Sequence, residues 1–115
     1  MPASSIHRPA KSRLVTPVPY TASPSVQAAI KRIGRTEDVR FSPDFSRLAI
    51  LGFNANKVLI LALQAYRNSD SQPTILLKDF LEIDCERFRK PHGAHWINDH
   101  TLIIANREGA VDIFE

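Results

Sequence analysis

Four residues could in principle hold a metal ion: Cys85, His92, His95 and His100, spaced Cys-x6-His-x2-His-x4-His. Thiolate and imidazole ligands suit zinc when the side chains converge. Strand geometry opposes convergence here, because His92 and His95 point to opposite faces and His100 lies beyond the turn at Asn98 and Asp99. His95 and His100 therefore read as surface groups, and no metal site or cofactor is expected. Cys85 sits among Glu82, Asp84 and Glu86, an acidic setting that discourages the thiolate, so it reads as a packing residue. A Gly-x-Ser-x-Gly elbow, a Gly-rich phosphate loop and a His-Glu-x-x-His pair are all missing from the sequence, and no catalytic residue is assigned. Asn106 and Arg107 are candidates for holding a ligand. The planar donors of Arg107 match an anionic group. The bland reading of Asn106 and Arg107 is a surface turn with Glu108 that bonds backbone and pairs charges.

The elements that must position these residues come in two similar stretches. Asp38-Val-Arg-Phe-Ser-Pro-Asp-Phe-Ser-Arg-Leu-Ala-Ile-Leu-Gly returns in altered form as Gly93-Ala-His-Trp-Ile-Asn-Asp-His-Thr-Leu-Ile-Ile-Ala-Asn. Val39 aligns with Ala94, Phe41 with Trp96, Asp44 with Asp99, Leu48 with Leu102, Ile50 with Ile104, Val58 with Val111 and Ile60 with Ile113. Each copy reads as strand, polar turn, strand, turn, strand, and a repeat of this kind speaks for stacked supersecondary units. Arg47-Leu-Ala-Ile-Leu and Thr101-Leu-Ile-Ile-Ala lack polar alternation, as strands covered on both faces do. The spacing predicts a long polar loop from Gln64 to Pro73 and outer strands over 74–77 and 80–83. Phe41, Leu48, Ile50, Val58, Ile60, Trp96, Leu102, Ile104, Val111 and Ile113 are the expected core.

Ahead of the repeat the charge is lopsided. Residues 1–35 carry six basic side chains and no acid, whereas residues 36–115 carry nine basic and twelve acidic ones. Such a head can attract anions, but no aromatic or glycine spacing of a nucleic-acid module accompanies it, so nucleic acid is disfavoured as a partner. Residues 1–22, with four prolines before Tyr20, are expected to be disordered. For residues 23–35 two readings stand. One is a short helix capped by Ser23, with Pro24 in its first turn, Val26, Ile30 and Ile33 on one side and Gly34 at its end. The other is an extended outer strand.

Ser42-Pro-Asp-Phe-Ser looks like the Ser-Pro-Asp-Gly turn of WD40-like and lactonase-like propellers, with Phe45 in the glycine's place, which predicts a different turn geometry. The stretch from Pro91-His-Gly through Ala-Asn-Arg to Val-Asp-Ile-Phe resembles a blade of the six-bladed propellers grouped with NHL repeats and lactonase-like proteins. The resemblance covers residues 36–115 in two copies. It implies an all-β, partial β-propeller of about two antiparallel blades, 36–87 and an incomplete 88–115. It also implies that Glu37 and His92, at matching strand openings, lie toward a central channel where such proteins gather ligands, which adds both to the ligand candidates. Neither copy ends in the Trp-Asp pair of WD40 proper.

One and three-quarter blades leave apolar faces uncovered, so the expectation is an N-terminal fragment of a longer propeller or a ring completed by association. No apolar run approaches the roughly 20 residues of a membrane span. A single cysteine points to a reducing compartment, read as cytoplasmic. The functional reading is a non-catalytic binding or scaffolding module for a protein or small ligand. The alternative is a fragment of a metal-dependent lactonase-like hydrolase or lyase.

Overall fold

The computed structural model describes residues 17–84 and 86–115. The elements run β1 (Tyr20–Ala22), α1 (Pro24–Ile33), β2 (Thr36–Phe41), β3 (Arg47–Gly52), β4 (Lys57–Arg67), β5 (Pro73–Asp84), β6 (Pro91–Asn98), β7 (Thr101–Asn106) and β8 (Val111–Phe114). They form a mostly β fold with two sheets, ordered β1-β5-β4-β3-β2 and β6-β7-β8, neither closed into a barrel. Strands β2 to β5 make one antiparallel meander and β6 to β8 another. Leu48 and Leu102 both lie on the second strand of their meander.

The absence of polar alternation in β3 and β4 follows from what covers them. On one face of the first sheet, Ala49, Leu51, Val58 and Ile60 meet Trp96, Leu102, Ile104 and Phe88, with Ala94 and Phe114 at the margin. On the other face, Ile50, Leu59, Leu61, Leu63 and Leu77 meet Val26, Ala29 and Ile33 of α1. Full burial of an aliphatic side chain such as Val26 or Ile33 stabilises by about 2 kcal/mol. The first sheet is thus filled from both sides, which is why its central strands carry apolar residues at successive positions.

Helix α1 forms where its signals lie. The Ser23 hydroxyl accepts from the Val26 amide at 3.4 Å, Pro24 occupies the first turn, and Gly34 ends the helix at φ 66°. Arg32 in the last turn pairs with Glu82 of β5, and its hydrogen bond holds that carboxyl below its ordinary range. The helix lies on the face of the sheet, with Val26, Ala29 and Ile33 buried and Ile30 only partly so. Its seat depends on Gly52: a Cβ there would stand 2.9 Å from the Ile33 carbonyl oxygen.

The two sheets are stitched along their first strands and first turns. The Ala94 amide donates to Asp38 Oδ2 at 2.9 Å, and the Trp96 indole donates to the Arg40 carbonyl at 3.0 Å. The Asp44 amide donates to Asp99 Oδ1 at 2.9 Å, and Arg47 donates to the Asp99 carbonyl at 2.6 Å. Asp44 also accepts from the Ser46 amide and from the hydroxyls of Ser46 and Ser42. Led by the Ser46 amide, these donors hold its carboxyl at about 2, down from 3.8.

Several expectations are corrected. Tyr20–Ala22 is not disordered but adds a parallel edge strand to β5, while residues 1–16 lie outside the described residues. Residues 64–67 are not loop: β4 runs on to Arg67, because it pairs with a single β5 strand where two short ones had been expected, a bulge absorbing the mismatch between Ala62 and Leu63. The connection shrinks to residues 68–72, organised by Asn68 Oδ1, which accepts from the amides of Asp70 and Gln72. Phe45, in the turn between β2 and β3, takes φ 61°, a left-handed conformation uncommon for a bulky side chain. Phe41, Val111 and Ile113 are exposed, not core. Phe41 lies beyond the reach of α1 and packs on Phe45 at 5.7 Å, whereas Val111 and Ile113 lie on the face of the second sheet turned away from the first. Among the described residues, no helix is long and apolar enough to cross a membrane.

Candidate functional site

The candidate residues gather where the chain enters β2 and β6 and where β3 turns into β4 and β7 into β8. Glu37, near the start of β2, accepts from Arg35 Nη2 at 2.8 Å and stands 3.9 Å from His92 Nδ1, near the start of β6. The two matching strand openings thus come face to face, with the carboxylate largely covered and the imidazole half exposed.

Asn106, at the end of β7, is buried and internally bonded. Its Oδ1 accepts from the Arg89 amide at 2.9 Å, while its Nδ2 donates to the Ala110 carbonyl at 2.8 Å and to Asp112 Oδ2 at 2.9 Å. It holds the β7–β8 turn and the segment before β6 together. Asn56 does the same from the first sheet, donating to the Phe88 carbonyl at 2.9 Å and accepting from the Lys90 amide at 2.7 Å. Asn56 takes φ 56° and Lys90 φ 59°, left-handed conformations that these side-chain bonds sustain.

Arg107 turns outward from this frame toward Phe53. Its guanidinium carbon lies 5.7 Å from the Phe53 ring centroid, the ammonium of Lys90 lies 5.6 Å away, and the guanidinium carbon of Arg35 lies 4.9 Å away. Each falls within the range of cation–π attraction. Backbone bonds fix the cluster: the Phe53 amide donates to the Arg35 carbonyl at 3.1 Å, and the Arg107 amide donates to the Lys90 carbonyl at 2.9 Å. Lys90 pairs with Glu108 at 3.0 Å. A depression of about 280 Å³ opens beside the ring, lined by Phe53, Asn54, Asn56, Phe88, Arg89, Lys90 and Glu108.

No family model, curated protein or solved structure matches this chain. What the site can bind is therefore read from its own side chains. Glu37 and His92 form a carboxylate–imidazole pair, two donors where a metal ion needs more. Among the described residues no group of three or more His, Cys, Asp or Glu side chains could hold a metal ion. His95 lies exposed on the outer face of the second sheet, paired across the strands with Ile103. His100 lies at the far end, 3.1 Å from Arg47 Nη1, and Cys85 is outside the described residues. The histidines are thus dispersed, as strand geometry implies.

Sequence reasoning passed over Phe53, Arg35 and Lys90. A signal was present: Arg35 and Lys90 immediately precede β2 and β6, 55 positions apart, the same offset that aligns Phe41 with Trp96. Residues flanking equivalent strand ends meet when two like sheets stack in register.

Proposed function

We propose that the chain is a non-catalytic, propeller-type binding or scaffolding module, its two sheets acting as neighbouring blades and its turn-bearing end around Glu37, His92 and Phe53 receiving a protein or small ligand. One observation carries this reading: the sheets stack head to tail. The first sheet packs through Ala49, Leu51, Val58 and Ile60, whereas the second packs through Trp96, Leu102 and Ile104, which align with Phe41, Leu48 and Ile50 on the opposite face of the first. The face of the second sheet that corresponds to the packed face of the first is left open, with Ile97, Val111 and Ile113 at 53%, 60% and 64% exposure. Stacking that repeats in one direction is how blades and solenoid units assemble. Helix α1 then acts as a cap on the first sheet, the role of terminal units in such arrays.

An open apolar face of this kind drives association. In sedimentation velocity the chain is expected to shift to larger species as its concentration rises, and Ile113→Asp to remain monomeric. A well-folded wild-type monomer at every concentration counts against the module reading. The runner-up, a piece of a metal-dependent lactonase-like hydrolase or lyase, is favoured only by the Glu37–His92 pair. It requires a stoichiometric cation lost on His92→Ala.

A further inference from the structure

We propose that Phe53 and the cations over it form a binding site for a small organic phosphate monoester, the ring receiving its apolar stem and Arg107 its phosphate. Four cationic side chains, Arg35, Arg89, Lys90 and Arg107, converge on this end against two carboxylates, Glu37 and Glu108. Two positive charges are left over. Arg35 is neutralised by Glu37 and Lys90 by Glu108, whereas Arg89 donates only to the carbonyls of Glu86 and Phe88. Arg107 has no carboxylate within ion-pair distance among the described residues, although it is held among other cations. Like charges brought together on one apolar ring are stabilised by a dianion, and a guanidinium offers the paired donors that phosphate oxygens take.

The frame beneath is set before any ligand arrives. Asn56 and Asn106 grip the segment that carries Arg89 and Lys90, and Lys90 is held in a left-handed conformation that lysine seldom adopts. Such a conformation is retained where surrounding bonds over-determine it, and it aims the Lys90 ammonium over Phe53. The open depression of about 280 Å³ beside the ring is lined by Arg89 and Lys90 as well as Phe53. The inference rests on reading this end as the binding end, but it does not involve the open face of the second sheet.

The test is an amide-resolved NMR titration of the whole chain with phenyl phosphate, with phenol as the uncharged control. Saturable shifts are expected at Phe53, Lys90 and Arg107, with none from phenol. Affinity should fall by about tenfold in Arg107→Ala, the loss expected for a charge-assisted contact. Phe53→Leu should weaken binding while leaving the remaining spectrum in place, and Arg67→Ala, remote on the far end of β4, should bind like the parent. Affinity should also drop as pH falls below about 6, where the phosphate dianion takes up a proton and becomes a monoanion. Shifts that do not saturate, that phenol reproduces, or that Arg67→Ala reduces as much as Arg107→Ala overturn the site. A chain that associates through Ile113 yet ignores phenyl phosphate overturns the anion site alone and leaves the module reading intact.

Discussion

The two sheets put nearly the same residues to different ends. Val58 and Ile60 of the first are 0% and 8% exposed, while Val111 and Ile113, their counterparts in the second, are 60% and 64% exposed. Residue type does not separate these pairs; neighbours do. Among the described residues, the first sheet has the second sheet on one side and α1 on the other, whereas the second sheet has a neighbour on one side only. An apolar strand face is buried only where a neighbouring element covers it, which is why equal residues differ so widely in exposure.

The contrast is broken most strongly by truncating the counterparts. Ile60→Ala should cost about 3 kcal/mol, from lost burial and the cavity left behind, and Ile113→Ala no more than about 0.5 kcal/mol in the monomer. Urea unfolding of both at dilution compares them, and equal losses would dissolve the distinction. Gly52 and Asn106 hold corresponding positions as well. Gly52→Ala should cost about 2 kcal/mol, because the added Cβ meets the Ile33 carbonyl oxygen and the helix must lift. Loss of helical signal before global unfolding would show α1 detaching first.

The first turns sharpen the comparison at smaller cost. Phe45, in the left-handed region, should gain about 1 kcal/mol on replacement by glycine, less what its contact with Phe41 contributes. His100→Gly, in the corresponding turn, lacks that strain to relieve and should give no gain in thermal midpoint. Acid tests the same turn. The Asp44 carboxyl is depressed from 3.8 to about 2 in the folded chain, so its contribution is complete above 3.8 and is lost as pH falls through about 2. Urea midpoints measured down this range should decline less steeply in Asp44→Asn than in the parent.

Much of this frame was legible in the chain. The alignment of Leu48 with Leu102 and of Ile50 with Ile104 places each pair on the same strand of a meander, because strand period and turn chemistry are local properties. Ser23, Pro24 and Gly34 likewise mark both ends of α1. What stayed hidden depends on partners distant in sequence. Gln64, Ala65, Tyr66 and Arg67 read as loop because they lie on exposed strand beyond the core, paired only through the backbone with β5. Val111 and Ile113 read as core because an apolar pattern cannot say whether its cover is present. Glu37 and His92 were singled out from matching positions and do meet, but the cluster on Phe53 draws on positions 35, 90 and 107, which share no local motif.

The most direct test of the head-to-tail stack is carbene footprinting with residue-level mass spectrometry, at a dilution where the chain sediments as a monomer. Val111 and Ile113 should be labelled heavily while Val58 and Ile60 stay protected. Equal labelling of the two pairs, or protection of all four, would contradict the stacking.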